Sequence, residues 1–415
     1  MTIVIWPSKI AQVESSTDQM LDFERARLHI LEQIKPLPSE LVPVSEADGR
    51  VLAEDLVSGV DLPPFDYSAM DGYAVRAAEF SGEGPWRLPV TLEQRAGGVA
   101  QRLSAVSAAR IFTGAALPEG ADSVIMQEDA ELSDATVTFR AAPRLGGHVR
   151  RRGEDLALGA VALTRGTRLN PFRLGLAAAL DRAEVRVARR PRVALLCTGD
   201  ELRDAGSPAR PGSIPDSNGP SLAALARRAG ADVRRLPRTG DDLAATREAL
   251  RQALAECDVL LTVGGVSVGD HDVVKQALEA EGVKIDFWKV KIKPGKPLAF
   301  GQRDDVWVLG LPGNPVSAQL TLCLFGLPLL RALQGDAQAL PAISRVRLGT
   351  AIAQKPGRLG FYRARLENGQ AFAHDNQASG APTSMAHADV LVMVPEASTG
   401  LAAGAVADAL RLDDL

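Results

Sequence analysis

The residues best placed to do chemistry fall in four short stretches, each an apolar run that ends in glycine or acids. The densest is LLTVGGVSVGDHDVV (260–274), where Gly264, Gly265 and Gly269 stand beside Ser267, Asp270 and Asp272. LLCTGDEL (195–202) ends in Thr198, Gly199, Asp200 and Glu201, and LPRTGDDL (236–243) in Gly240, Asp241 and Asp242. GLPGNPVSAQL (310–320) turns at Gly313 and sets Pro315 and Ser317 in the first turn of a helix. Glycines let an oxyanion approach backbone N–H groups, and the N-terminus of a following helix favours its charge. The acids would repel a bare phosphate. They make sense with a divalent cation between carboxylate and phosphate oxygens, a ligand set that suits Mg2+. The stretch lacks the G-K-[ST] of a Walker loop. Any one of Asp241, Asp270 and Asp272 is equally well explained as a helix cap. Several such corners on one sheet edge favour a site.

FWKVKIKPGKPLAF (287–300) adds cations. Lys289, Lys291 and Lys293 alternate with Val290 and Ile292, which predicts a strand with the lysines on one face. The Pro-Gly-Lys-Pro turn brings Lys296 to the same region. A lysine-guarded edge strand is the plain alternative, but lysines near cation-binding acids suit a polyanionic substrate. Three further stretches are dense. In PPFDYSAMDGYAV (63–75) Asp66 and Asp71 flank a turn of small residues. In RIFTGAALPEGAD (110–122) Thr113 and Gly114 end a strand, and VRRRGEDL (149–156) sets three arginines before Glu154 and Asp155. On residue types alone these are a specific loop, a similar loop at a strand end and an exposed charged linker.

These stretches need a scaffold. From Arg192 strand and helix patterns alternate: RVALLC, SLAALARRAG, DVRRLP, LAATREALRQALAE, DVLLTV, DVVKQALEAEG, VWVLG and PVSAQLTLCLFGLPLLRAL. That alternation predicts βαβ units and a mostly parallel sheet covered on both faces, with ligands beyond the carboxyl ends of its strands. MLDFERARLHILEQI is helical in spacing and stops at Pro36 and Pro38. ARIFTG, DSVIMQ and ATVTFR are short strands, and Asn170 caps a helix starting at Pro171. The expected fold is multidomain, α/β and β. A helical linker unit takes 15–57 with 151–190, a β-rich insertion 58–150, the α/β domain 191–337 and a small C-terminal β domain 338–415.

Composition narrows the function. The 415 residues are 46% hydrophobic and 24% charged with net charge -4, which argues against general nucleic-acid affinity. Cys197, Cys257 and Cys323 form no C-x-x-C pair and are expected as buried thiols of a cytoplasmic protein. Cys197 near a strand end is a weak candidate nucleophile. The five histidines have no zinc spacing. No run has the make-up of a secretory signal, and none is expected to span a membrane.

PPFDYSAMDGYAV, RIFTGAALPEGADSVIMQE, RRRGEDL, TGDEL, GGVSVGDHD, KIKPGKP and GLPGNPVSA, in that order, resemble the signature series of the MoeA family of molybdopterin molybdenumtransferases, to which the C-terminal domain of gephyrin is similar. The resemblance implies Mg2+-dependent cleavage of adenylylated molybdopterin and insertion of molybdenum from molybdate, giving molybdenum cofactor and AMP. It implies a homodimer whose cleft lies between the α/β domain of one chain and the β-rich unit of the other. By motif it carries functional positions onto Asp71, Thr113, Asp155, Glu201, Asp241, Asp272, Lys289, Lys293, Pro312 and Pro315. Glu201, Asp241 and Asp272 would hold Mg2+. Gly264, Gly265 and Ser267 would cradle phosphate, while Lys289, Lys293 and Ser317, with Lys296 nearby, would meet oxyanion oxygens. Asp71 and Thr113 would reach in from the partner. Tyr67 stands where the family usually has Asn, and residues 1–18 have no clear counterpart. Two alternatives stay open: a molybdopterin adenylyltransferase, whose stand-alone form resembles 190–335 only, and a non-catalytic molybdopterin-binding scaffold. Tungstate preference is open too.

Overall fold

The computed structural model describes residues 20–265 and 273–415. The proposed site residues Ser267 and Asp272, with Gly269 and Asp270, lie outside the described residues, as does the segment 1–18.

Apolar runs without alternation form the centre of the molecule. Val259–Val263 is buried at every position, as expected of a strand covered on both faces. It lies inside a six-stranded sheet ordered Asp232–Arg235, Arg192–Cys197, Val259–Val263, Val306–Leu311, Pro297–Arg303, Lys284–Lys289. The first four strands are parallel. Pro297–Arg303 runs against them, and Lys284–Lys289 runs against it. Two reversals therefore return Lys284–Lys289 to the direction of the parallel set, so Lys289 sits at the same edge as Cys197 and Val263. The helices Asn218–Arg228, Leu243–Glu256, Val273–Ala280 and Pro315–Thr321 follow the parallel strands. Separate apolar clusters cover the two faces, Leu195, Leu261 and Leu309 facing one and Leu196, Leu260 and Val308 the other.

Pro315–Leu333 continues through a π-turn, Leu322–Gly326. Contrary to the sequence reading, this run is long and apolar enough to cross a membrane, but most of it is buried in the α/β core.

The expected N-terminal helix is shorter than the pattern suggested. It spans Phe23–Gln33, capped by Asp22, whose carboxylate accepts from Arg25 N at 2.9 Å. Beyond the prolines, Ser39–Pro43 is a strand paired antiparallel with Glu184–Ala188. Phe23, Ala26 and Ile30 are buried in the α/β core. The linker unit has its own core, in which Ala47, Leu52 and Leu56 meet Leu169, Ala177, Leu180, Val185 and Val187. Asn170 caps Pro171–Ala179, accepting from Arg173 N at 3.0 Å.

The β-rich unit is a six-stranded sheet that includes Gly72–Val75, Ala108–Ile111, Ser123–Met126 and Thr136–Phe139. Five C-terminal strands close into a barrel, Val390–Val394 pairing back onto Leu359–Glu367.

Candidate functional site

The second strand of the central sheet by chain order, Asp232–Arg235, lies on one side of the first, Arg192–Cys197, and the third, Val259–Val263, on the other. The crevice between the first and third strands is the topological switch point, where α/β sheets take ligands. The corners found in the sequence meet there. Thr198 donates its N–H to Val263 O at 3.1 Å, and Gly264 N–H goes to Leu311 O at 3.2 Å. Gly264 has φ +88°, and a Cβ on it would stand 3.0 Å from Thr198 O. Glycine is thus required by both backbone geometry and space. Gly265 follows at φ +63°. Gly313 of the fourth corner lies against Gly264.

The acidic corners are also joined. Asp200 Oδ1 accepts from Asp241 N at 3.2 Å, and Thr198 bridges Thr239. The Glu201 carboxylate folds back over Gly199. Glu201 and Asp241 are both exposed. Asp242 has the plain role, capping Leu243–Glu256 through Ala245 N at 2.7 Å. Among the described residues no three His, Cys, Asp or Glu side chains could hold a metal ion by themselves. Asp200 and Glu201 at one corner and Asp241 at the other expose carboxylate oxygens too few for an all-protein cage, so a hard cation here would need substrate and water oxygens to complete its shell.

The lysine stretch departs from the expected single strand. Lys284–Lys289 ends the central sheet, and Ile292–Lys293 joins the C-terminal barrel, Ile292 opposite Leu359 and Lys293 opposite Gly360. The alternation survives as burial: Val290 and Ile292 are fully buried, while Lys293 and Lys296 are exposed and Lys289 half-buried. Lys291 is drawn away to Glu396 of the barrel at 3.6 Å.

The barrel also reaches the fourth corner. Ser379 O accepts from Val316 N at 3.0 Å, and its hydroxyl accepts from Asn314 Nδ2 at 3.1 Å. Arg363, 1% exposed, holds that loop by donating to Asn376 O and Ala378 O. Pro315 opens the helix, Pro312 is buried, and Ser317 is 4% exposed beneath the surface. Sequence reasoning did not single out Ser379, Arg363 or Asn218. Asn218 gives Nδ2 to Gly313 O at 2.7 Å, and its buried Oδ1 has no partner. The Asp-Ser-Asn-Gly-Pro run at the helix start was the available signal.

Asp71 and Thr113 come together in the β-rich unit. Gly72 pairs with Ile111, which puts the two at one end of adjacent strands. Thr113 donates N–H and hydroxyl to Asp71 Oδ1, both at 2.8 Å. The backbone bond first and the hydroxyl second hold the Asp71 carboxyl below its usual range. Gly72 admits no side chain, because a Cβ would drive into Ile125 O. These bonds stay within the β-rich unit and reach none of the α/β corners.

The arginine stretch is no free linker. Arg151 Nη1 donates to Asp66 Oδ2 at 2.6 Å, Arg152 N to Asp66 Oδ1 at 2.8 Å and Arg152 Nε to Asp61 Oδ2 at 2.6 Å. Asp155, exposed, is fixed through its backbone N–H to Leu62 O at 3.0 Å. Tyr67 pairs with Arg150 and is half-buried.

Cys197 is 4% exposed, and burial first, then Asp216, pushes its thiol up to about 12, which disfavours the thiolate a nucleophile needs. Burial likewise raises Cys257 to about 11 and Cys323 to about 12.

A switch-point crevice of glycine and acid corners, with Lys289 on the outer strand of the same sheet, defines an α/β ligand-binding domain. Residues 194–332 match the family model for a probable molybdopterin binding domain. On either side, 21–180 match the MoeA N-terminal region (domain I and II) and 345–412 the MoeA C-terminal region (domain IV). A molybdopterin molybdenumtransferase of Haemophilus influenzae is 41% identical over 351 residues, 83% of this chain and 86% of the relative. Molybdopterin molybdenumtransferase 2 of Mycobacterium tuberculosis is 38% identical over 374 residues, 88% of this chain and 92% of the relative. The crystal structure of a molybdopterin biosynthesis MoeA protein from Pyrococcus horikoshii OT3 superposes with TM-score 0.83 at 30% identity, covering 94% of this chain and 100% of that one. The chain belongs to the MoeA family. It is a transferase of molybdenum cofactor biosynthesis.

Proposed function

We propose that the protein takes adenylylated molybdopterin and molybdate, cleaves the adenylyl group in a Mg2+-dependent step and yields molybdenum cofactor and AMP. The observation that carries this reading is the joining of acid and glycine corners at the switch point, with Lys289 ending the outer strand at the same carboxyl edge of the sheet. Glu201 and Asp241, with Asp272 beyond the described residues, would hold Mg2+, and Asp200 braces Asp241 through its backbone N–H. Bound there, the cation supplies charge neutralisation for the phosphate oxygens. Gly264 and Gly265 give the phosphate a close approach, with Ser267 assigned beside them. Lys289, Lys293 and Lys296 neutralise molybdate or phosphate oxygens at the same edge. Ser317, 4% exposed, is assigned with them to the oxyanion oxygens.

Asp71 and Thr113 complete the cleft from a second subunit. Their bonds to each other leave the pair at a strand end of its own unit, and a homodimer would bring it to the lysines. Asp155 belongs to the same face through the loop it shares with Pro63 and Asp66. Three buried free cysteines suit a reducing compartment, the cytoplasm.

AMP release by the purified protein with adenylylated molybdopterin and Mg2+ tests the reading, with molybdate, with tungstate and with neither. Oxyanion-dependent release whose product activates a cofactor-free molybdoenzyme is expected, with loss of release in Asp272→Asn. Tight pterin binding without AMP release would mark a scaffold. AMP-transfer from ATP to molybdopterin would mark an adenylyltransferase. Either result would overturn the insertion reading.

A further inference from the structure

The strand that carries Lys289 is the edge of the central sheet, and what lies along that edge is the N-terminal segment. Leu21 forms a parallel bridge with Val290: Leu21 N–H goes to Lys289 O at 3.1 Å, and Lys291 N–H to Leu21 O at 2.8 Å. Further along, His29 Nε2 meets Asp286 Oδ2 at 3.1 Å, and Gln33 Nε2 reaches the same oxygen at 3.4 Å. The His29 ring stands edge-on to Phe287 and Phe300.

The two stretches match in length. From Phe23 to His29 the helix advances about 9 Å at 1.5 Å per residue. From Asp286 to Lys289 the strand advances about 10 Å. The helix Phe23–Gln33 therefore runs back along the edge strand, pinned at both ends. Phe23 fixes the near end, its ring packed edge-on against Phe325 of the α/β core and Phe361 of the barrel, centroids 5.6 and 5.5 Å away. On its other side the same loop is held by the barrel, where Leu359 N–H goes to Lys291 O at 2.9 Å.

We propose that residues 21–33 are a positioning element for the site lysines: Leu21, His29 and Asp286 act through the edge strand and the loop after it to set Lys289 and Lys293. None of the three touches substrate in this assignment. It rests on the reading of Lys289 and Lys293 as oxyanion-binding groups. The plain alternative is a helix that merely covers an exposed strand edge, and such a helix would stabilise the fold without altering molybdate dependence.

The test uses the full chain and its Leu21→Pro and His29→Ala variants, with His29→Gln as rescue and Lys293→Ala as control. Proline has no N–H to give Lys289 O, and His29→Ala remains informative where Leu21→Pro does not fold. Two quantities are read: hydrogen exchange at the amides of residues 290–292, and the molybdate half-saturation of AMP release beside the affinity for adenylylated molybdopterin. In Leu21→Pro, exchange and half-saturation should each rise about tenfold, the worth of one lost hydrogen bond, with pterin affinity nearly unchanged. His29→Ala should move both the same way by less, and His29→Gln should recover. Unchanged exchange, or faster exchange with unchanged molybdate dependence, would overturn the proposal while Lys293→Ala still raises the half-saturation. A flat response in Lys293→Ala would instead remove the lysine reading and the proposal with it.

Discussion

Asp258 gives the sharpest quantitative prediction. It opens the strand Val259–Val263 at the amino edge of the sheet, opposite the site. Its carboxylate takes Arg189 Nη1 and Nη2 at 2.8 and 2.9 Å, Arg192 N at 2.7 Å and Arg192 Nη2 at 3.1 Å. Burial alone would raise its pKa, but the Arg189 bonds and then the Arg192 bonds hold it down at about 2, against an ordinary 3.8. With 1.36 kcal/mol for each pH unit, that depression is worth about 2 kcal/mol of stability. The folded value is the lower one, so the contribution is complete above pH 3.8 and fades as pH falls toward 2. Asp258→Asn removes the charge, keeps the shape and leaves two guanidinium groups short of a partner. Urea unfolding of both proteins from pH 7 to 2.5 should show the variant weaker by about 2 kcal/mol down to pH 5, the gap narrowing below pH 4. AMP release at pH 7 should be unchanged, since the clamp lies away from the carboxyl edge. A gap that stays constant to pH 2.5, or no gap at all, would refute the assignment of the depressed carboxyl to these arginines.

The site and its neighbours make further predictions. Thr113→Val removes the hydroxyl bond to Asp71, so the Asp71 pKa should rise and any acid limb it imposes on turnover should move to higher pH; an unmoved limb would contradict this. If the cleft is shared, mixing dead Asp71→Asn and dead Glu201→Gln subunits should restore about a quarter of the native sites by random pairing into dimers. Mixtures as inactive as either parent would show that each subunit works alone. Gly72→Ala should cost about 1–3 kcal/mol through overpacking against Ile125, read as a lower unfolding midpoint of the β-rich unit, and wild-type stability would refute the packing argument. Cys197→Ala should keep full turnover, and the native thiol should resist alkylation at pH 8 because it ionises only near 12; rapid inactivation by a thiol reagent would contradict the burial.

Much of this was readable before any coordinates. From Arg192 onward, apolar runs of five or six residues between amphipathic segments can hardly be anything but buried parallel strands, and local spacing carries that information. The glycine and acid corners were visible because a turn's chemistry sits in adjacent residues. What escaped were features decided by a distant partner. Lys289 and Lys293 look like one strand, yet Leu359, 66 residues after Lys293, captures the second half. The arginines at 150–152 look like a linker, yet Asp66 binds Arg151 and Asp61 binds Arg152. Phe23–Gln33 looked like part of the linker unit, but an amphipathic stripe does not say which core it enters. Ser379 was invisible for the same reason: its contact with Asn314 exists only once the barrel has docked.

The lysine loop draws its supports from both ends of the chain, Leu21 on one side and Leu359 on the other. During synthesis the chain emerges from its N-terminus and domains fold as they appear. Every strand of the α/β sheet has been made by Leu311, yet the loop lacks its second support until the barrel follows. A nascent or prematurely terminated chain can thus display the acid and glycine corners without the finished lysine edge. On the proposed reading of the lysines, competence for the pterin is completed only in the last part of translation.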